Sequence, residues 1–234
     1  MTIRFYDLVG TDNRRMSPYG WRVRMALAHK GLDYEWVPVR FTDKEVIGFS
    51  GQKLVPVLAD GENVVFDSWA IANYLEDSYP DRPSIFGDSG GHMGGKALAE
   101  FIMHWTNTQL HPPLIKLILG DIFKIVLPED QPYFRESREK RFGMTLEQVT
   151  DQSPERVAAF RAALEPARLC LASRPYLAGA APSYADYALF GSLQWARCGS
   201  PLKLLAEDDP LHGWRQRLLD SFDGMPGKAV GFAA

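Results

Sequence analysis

The sequence contains few cysteines and no long apolar run. Cys170 and Cys198 are its only cysteines, and their spacing is neither C-x-x-C nor that of a metal site. Such a pair is typical of buried free thiols in a reducing compartment, so we expect no bound metal. No apolar run approaches the roughly 20 residues that span a bilayer, and the first residues lack the apolar core of a signal peptide. The expected location is therefore the cytoplasm, without membrane contact.

An excess of positive charge is also missing. The formal net charge of −3 gives no reason to expect nucleic acid or an anionic membrane as a partner. Hydrophobic residues (46%) and charged residues (24%) occur in the proportions of an ordinary globular protein. A length of 234 residues fits one large domain or two smaller ones.

Strand and helix signals alternate in the first part of the chain. "IRFYDLV" predicts a strand, Ser17-Pro18 begins a helix, and "DYEWVPV" predicts a second strand. A unit of this length forms a right-handed crossover between parallel strands. The apolar runs at 54–58 and 64–66 flank the turn "ADGEN", which is typical of a hairpin, and Asp67-Ser68 begins another helix. The pattern therefore predicts a βαβ unit followed by ββα.

The second half of the chain carries only helix signals. Helices are predicted over 96–119, with an interruption at "HPP", and over 153–164. A further helix begins with the capping-box residues Ser183 and Asp186. The Gly-rich stretch between the halves predicts a linker. The expected division is an α/β domain over 1–84, a linker over 85–95 and an all-helical domain over 96–234.

Three short stretches fit either a structural or a binding role. Ser17 before Pro18 is a helix N-cap, yet its hydroxyl and the positive helix end also favour an anion such as a thiolate. A cis bond at Val55-Pro56 would leave the Val55 backbone free to pair with an extended peptide-like ligand. Asp67-Ser68 is an N-cap, or a clamp for the ammonium and carboxylate of an α-amino acid. All three would lie along one edge of the sheet, and glutathione requires these three features.

The chain resembles the cytosolic glutathione transferases over essentially its whole length. The N-terminal likeness lies in "SPYGWRVRMAL", "LVPVL" and "DSWAIANYLEDSYPD", and the C-terminal likeness in "PYLAGAAPSYADYALFGSLQWA", the stretch with the family's N-capping box. The resemblance implies a thioredoxin-like N-terminal domain and an all-α C-terminal domain. Within the family, "GFSGQKLVPV" and "YFRESREKRFG" resemble the bacterial and fungal β-etherase-like transferases.

The resemblance implies roles for particular residues. Ser17 would hydrogen-bond the glutathione sulfur and lower the thiol pKa, with Asn13 and Thr11 as further donors from the preceding loop. The remaining glutathione contacts would come from Val55, cis Pro56, Asp67, Ser68, and Lys53 or Gln52 at the glycyl carboxylate.

The second substrate would be a hydrophobic, aromatic electrophile held between the domains. In an etherase-like enzyme the thiolate attacks the carbon β to an aryl ketone and a phenolate leaves. The aromatic residues that would line this site, or else pack in the core, are Trp105, Tyr133, Phe142 and Trp195. The segment 135–141 is interpreted as a solvated helix face, and Tyr6 as a packed strand aromatic.

Two other functions fit the same residues. One is a non-catalytic binding module for glutathione or a hydrophobic ligand, and the other is a glutathione-dependent isomerase or lyase. Ser17 stands where Omega-like relatives carry cysteine, which disfavours thiol exchange, and "SPYG" lacks the cysteine of Zeta-like isomerases. The segment after residue 96 and the "ENVVFDS" hairpin resemble the surfaces with which this family forms a two-fold homodimer.

Overall fold

A four-stranded sheet forms the N-terminal part of the molecule. The structure, a computed structural model, describes residues 2–87 and 92–233. The strands are β1 (Ile3–Leu8), β2 (Tyr34–Val39), β3 (Val57–Asp60) and β4 (Asn63–Phe66), in the spatial order β2-β1-β3-β4. β1 and β2 are parallel and joined by α1 (Pro18–His29), whereas β3 and β4 form an antiparallel hairpin followed by α2 (Ser68–Ser78). The predicted βαβ unit followed by ββα is confirmed.

The local signals fix where these elements begin. Ser17 caps α1 and Pro18 is its first residue, and Gly31 follows the helix with a φ of +62°. β3 begins at Val57, later than the apolar run suggests, because Pro56 has no amide hydrogen to offer a neighbouring strand. Tyr6 is buried in the sheet against Phe49, as expected of a packed strand aromatic.

The C-terminal part consists of helices in the residues that the structure describes. They are α3 (His92–Trp105), α4 (His111–Ile125), α5 (Gln131–Phe142), α6 (Leu146–Val149), α7 (Pro154–Ala163), α8 (Glu165–Leu171), α9 (Tyr184–Gly199) and α10 (Leu211–Lys228). A π-helical turn over Thr106–Leu110 separates α3 from α4 directly before "HPP", so the predicted interruption is confirmed. None of the described helices is long and apolar enough to cross a lipid bilayer.

α3 begins inside the stretch predicted as a linker. It starts at His92, four residues before 96, and residues 88–91 of the predicted linker lie outside the described residues. Gly95 sits against the chain that leaves the sheet domain, since a Cβ there would overlap the carbonyl oxygen of Phe86. Glycine at this position therefore lets the Phe86 backbone pass close to α3, and it does not mark a linker.

α9 is the buried helix that joins the two parts. Its capping box is formed as expected, with Asp186 accepting hydrogen bonds from the Ser183 amide at 3.0 Å and from the Trp214 indole at 2.9 Å. α9 packs along α1, and a Cβ on Gly191 would lie 2.6 Å from the Pro18 carbonyl oxygen. The start of α1 is thus held against the helical part. Both cysteines are free; Cys198 is buried as expected, whereas Cys170 is only half-buried.

Candidate functional site

The strand register brings the three predicted binding stretches to one end of the sheet. Tyr6 near the end of β1 pairs with Val57 at the start of β3, and Val57 pairs with Phe66 at the end of β4. The end of β1, the start of β3 and the end of β4 therefore lie side by side. Val55-Pro56 directly precedes β3, Asp67-Ser68 directly follows β4, and Ser17 lines one cavity with Val55, which supports the expected shared edge.

Ser17 is the N-cap of α1 and lines a cavity. Its Oγ accepts a hydrogen bond from the Gly20 amide at 2.9 Å, and the residue is 5% exposed and lines the cavity. A serine hydroxyl has one proton and two acceptor lone pairs, so the N-cap uses the acceptor and leaves the proton. Ser17 can therefore cap its helix and donate to an anion at the same time.

A buried ion pair supports the first turn of this helix. The Asp7 carboxylate, on β1, accepts from Arg24 Nε at 3.3 Å and from the Leu8 amide at 2.8 Å. Burial raises the pKa of Asp7, while the Arg24 charge opposes that shift. Gly20 permits this contact, because a Cβ there would overlap the Asp7 carboxylate. The position of the Ser17 turn thus depends on a glycine and a charge pair that sequence reasoning missed.

Val55 presents a backbone without internal partners. The Val55-Pro56 peptide bond is cis, and Val55 lines the cavity. Within the described residues, neither its N–H nor its C=O makes a hydrogen bond. Gln52 is half-buried, and its backbone N–H donates to Ser50 Oγ at 3.2 Å, whereas Lys53 is exposed. The Val55 backbone is available to an extended ligand.

Asp67 and Ser68 start α2 in an unusual backbone conformation. Asp67 has a φ of +70°, and its Oδ1 accepts from the Trp69 amide at 2.8 Å and the Ala70 amide at 3.2 Å. Its second oxygen has no hydrogen bond within the described residues, and the side chain is exposed. Ser68 is buried, and its carbonyl oxygen accepts from Tyr184 Oη at 2.9 Å. The N-cap therefore leaves one carboxylate oxygen free for a cation.

A buried arginine and a neutral histidine lie between these stretches, and both were missed in the sequence. Arg22 of α1 donates to Asn107 Oδ1 at 2.9 Å, while its Nε and Nη1 have no partner in the described part of the chain. Burial and the Arg22 charge lower the pKa of His111 to about 3. His111 lines the cavity, so it faces a ligand as an uncharged imidazole.

The cavity has a volume of about 370 Å³ and opens between the sheet edge and helices α4 and α5. Tyr133, Phe142 and Trp195 line it. Trp105 lies outside the lining and packs instead against the helical core, the commoner place for an aromatic residue on an amphipathic helix. Asn13 is exposed, and neither Asn13 nor Thr11 lines the cavity. Of the four aromatic residues named from the sequence, three share this cavity.

The segment 135–141 differs from the expected solvated helix face. Arg135 fits the expectation, since it forms ion pairs with Glu139 and Glu147 near the surface. Arg138 and Arg141 instead line the cavity. The signal that could have found them is the i, i+4, i+7 spacing of Phe134, Arg138 and Arg141, which puts all three on one helix face. In the described residues, no group of three or more metal-ligating side chains is placed to hold a metal ion.

Comparisons with known proteins match both parts of the chain. Residues 16–78 match the family model "Glutathione S-transferase, N-terminal domain", and residues 97–222 match "Glutathione S-transferase, C-terminal domain". A zeta-class glutathione S-transferase of Euphorbia esula is 35% identical over 120 residues, which cover 49% of this chain and 52% of that protein. The chain thus spans about half the length of this curated relative, and about a third of the next ones.

Two solved structures share the whole architecture. Glutathione transferase GSTFuA3 from Phanerochaete chrysosporium is 26% identical with a TM-score of 0.76, over 97% of this chain and 94% of that one. CsGST63524 of Ceriporiopsis subvermispora, a structure in complex with glutathione, is 22% identical with a TM-score of 0.80 over 100% of both chains. The second likeness is one of fold alone. Together they match both the sheet and the helical part.

Proposed function

Because the chain belongs to the glutathione S-transferase family, we propose that it is a glutathione transferase in which Ser17 activates the thiol. The observation that carries the proposal is the unused proton of Ser17 at a cavity-lining helix N-terminus. A hydroxyl donor and the positive end of α1 both stabilise the thiolate relative to the thiol, which lowers the thiol pKa. The thiolate then attacks an electrophile, and the thiol proton goes to solvent.

Glutathione, the co-substrate of this family, would lie along the shared end of the sheet. The Val55 backbone pairs with the cysteinyl unit beside cis Pro56, since its N–H and C=O are unused. The free Asp67 oxygen takes the γ-glutamyl ammonium, and Ser68 at the start of α2 takes the γ-glutamyl carboxylate. Gln52 or Lys53 completes the site at the glycyl carboxylate.

The electrophile would occupy the cavity beside Ser17. Tyr133, Phe142 and Trp195 offer aromatic surface there, which supports an aromatic acceptor. A β-aryl ether ketone is the narrower proposal: a bond forms between sulfur and the β carbon, the carbon–oxygen bond breaks, and a phenolate leaves. Asn13 is a second proposed donor, and because it is exposed, the turn that carries it must move to reach the thiol.

Two alternatives use the same glutathione site. A non-catalytic binding module needs the Val55 backbone and Asp67 but no donor at Ser17, so the free Ser17 proton favours catalysis. A glutathione-dependent isomerase or lyase uses the same thiolate and differs in the acceptor. The 35% identity to a zeta-class glutathione S-transferase over 120 residues makes this the second candidate.

We further propose that the chain forms a homodimer. The edge strand β4 exposes Val64 and Phe66, and α3 exposes Phe101 by 68% of its surface. Exposed apolar side chains on an edge strand and on a helix are typical of an interface.

Calorimetric titration with reduced glutathione tests the proposed site. We expect saturable heat in the millimolar range or below, followed by conjugation activity on chlorodinitrobenzene or an aryl ether ketone. Asp67→Asn keeps the N-cap but loses the charge, and because Asp67 is exposed we expect it to weaken binding by about 1 kcal/mol. The absence of saturable heat with the unmodified protein would refute the glutathione site.

An unchanged dissociation constant in Asp67→Asn would count against the ammonium contact alone. Glu62→Gln, which removes an exposed carboxylate from the β3–β4 turn, is the matched control and should bind as the unmodified protein does. Binding without any conjugation would favour the non-catalytic module.

A further inference from the structure

The cavity beside Ser17 carries charge of one sign. Five basic residues line it, namely Arg40, Lys44, Lys116, Arg138 and Arg141. Among the described residues, no aspartate or glutamate lines it. Such a one-sided wall is unusual in a protein with a net charge of −3, and it faces the space assigned to the second substrate.

Nearby carboxylates leave most of this charge unbalanced. Arg40 is paired with Glu129 at 3.0 Å. Asp130 attracts Lys44, but its oxygens accept from the Phe41 amide at 3.0 Å, the Thr42 amide at 3.3 Å and the Thr42 hydroxyl. Within the described parts of the chain, Lys44, Lys116, Arg138 and Arg141 have no ion-pair partner. The wall thus offers four cations that have no ion-pair partner among the described residues.

Arg138 is the most constrained of these cations. Its guanidinium lies over the Phe134 ring at 4.6 Å and the Phe41 ring at 5.2 Å, and Nη1 donates to Ser137 Oγ at 2.9 Å. Its Nε and Nη2 donate to no described residue. Burial lowers the pKa of Arg138 and also that of Lys44, yet an arginine stays charged at neutral pH. A half-buried guanidinium with free donors is a ready partner for a carboxylate.

We propose that the second substrate is an aromatic acid, with its ring against Phe142 and Trp195 and its carboxylate on Arg138, supported by Arg141. The inference rests on the proposed function, since it names the acceptor for the same thiolate. The glycyl carboxylate of glutathione is also an anion that Arg138 can bind. The test must therefore distinguish it from the carboxylate of the second substrate.

Binding of two glutathione conjugates isolates the added carboxylate. S-benzylglutathione and S-(para-carboxybenzyl)glutathione share the tripeptide and the ring and differ only in the acid group. We expect the carboxybenzyl conjugate to bind about tenfold or more tightly in calorimetry, as a charge-assisted hydrogen bond implies. Equal affinities, or weaker binding of the acid, would overturn the inference while leaving the glutathione site intact. If neither conjugate binds, the proposed function itself fails and the inference falls with it.

Variants on α5 assign the effect to Arg138. Arg138→Met keeps the stem that packs on Phe134 and removes the charge, so the preference for the carboxybenzyl conjugate should fall by about tenfold. Arg135→Met is the control from the same helix, because Arg135 pairs with Glu139 and Glu147 and lies outside the cavity lining. It should retain the full preference. Loss of affinity for both conjugates alike, with the same ratio, would contradict the assignment.

Turnover provides a second readout with a chloronitrobenzoate and its methyl ester. In both, the sulfur–carbon bond forms at the ring, the carbon–chlorine bond breaks and chloride leaves. Arg138→Met should raise KM for the acid about tenfold and leave KM for the ester and for glutathione unchanged. A rise in KM for glutathione instead would assign these cations to the glycyl carboxylate and overturn the proposal.

Discussion

The Ser17 hydroxyl caps α1 and keeps a proton that the cap does not use. Its oxygen caps α1 through the Gly20 amide, and its proton is left for a ligand in the cavity. Asp67 is similar: its Oδ1 caps α2, and its second carboxylate oxygen has no hydrogen bond within the described residues. In both residues the N-cap is formed and the proposed binding role is compatible with it, because a capping side chain uses only part of its hydrogen-bonding capacity.

Two substitutions separate the roles of Ser17. Ser17→Ala should cost about 1 kcal/mol of stability, whereas Ser17→Gly should cost only a few tenths, since glycine retains most of the N-cap preference. Both remove the donor, so both should raise the pKa of bound glutathione and slow turnover most at pH values below that pKa. Ultraviolet titration of the thiolate in the glutathione complexes measures the shift.

The comparison of the two variants decides between the roles. Titration curves identical to that of the unmodified protein in both variants would leave Ser17 as an N-cap only. A shift in Ser17→Ala without one in Ser17→Gly would trace the effect to the helix start rather than to the hydroxyl.

At the scale of elements, a buried ion pair ties α1 to α2. Lys30, at the end of α1, is 1% exposed. Its Nζ lies 2.8 Å from Glu76 Oε2 of α2 and also donates a hydrogen bond to the Tyr79 carbonyl oxygen. Burial by itself would raise the pKa of Glu76, but hydrogen bonds from Lys30, Ser84 and the Ile85 amide outweigh it and lower the pKa. The two helices that start at Ser17 and Asp67 are therefore locked together at their far ends.

This pair should make stability depend on acidity. Because the pKa of Glu76 is lower in the folded state, its contribution is full above the ordinary glutamate value of about 4.3 and is lost as pH falls through the folded-state pKa. Glu76→Gln should destabilise the protein by about 2–3 kcal/mol at neutral pH, and by progressively less as pH falls below about 4. Urea unfolding across this pH range measures the difference.

Glu129→Gln is the matched control for the Glu76 variant. Its ion pair with Arg40 is half exposed to solvent on both sides, so its loss should cost less than about 1 kcal/mol. A pH-independent cost for Glu76→Gln would show that the substitution acts through packing rather than through charge.

At the scale of the whole molecule, the two parts meet along α1 and α9, and some exposed apolar residues lie outside the cavity lining. Val64, Phe66 and Phe101 are exposed on β4 and α3, away from the cavity lining. The homodimer proposed from these faces should sediment at twice the 26.3 kDa of the chain at micromolar concentration. Phe101→Asp should shift the protein toward the single-chain mass, since it places a charge in a desolvated interface.

A control variant keeps the sedimentation experiment specific. Leu169→Asp changes a leucine on α8 that is 67% exposed, nearly the exposure of Phe101. It should leave the mass unchanged. A single-chain mass for the unmodified protein would contradict the dimer, and equal effects of both substitutions would contradict the assigned surface.

The sequence by itself determined the features that depend on near neighbours in the chain. The starts of α1, α2 and α9 were predicted from Ser17-Pro18, Asp67-Ser68 and Ser183, because capping hydrogen bonds reach only three residues ahead. The parallel pairing of β1 with β2 and the β3–β4 hairpin were predicted from the connection length and the turn signal.

Only the tertiary structure decided which side chains face the cavity. Arg138 lines it, although the sequence favoured a solvated helix face over 135–141, and Trp105, which the sequence left between lining and core, does not. The reason lies in contacts between distant segments: Asp130 accepts hydrogen bonds from the backbone amides of Phe41 and Thr42, 89 and 88 positions away, and so sets α5 beside the end of β2. Likewise, the close approach of the Phe86 carbonyl to Gly95, which a Cβ would block, joins segments whose contact the local pattern does not indicate. Local patterns specify an element and its faces, whereas the neighbour that each face meets is fixed by packing across the whole chain.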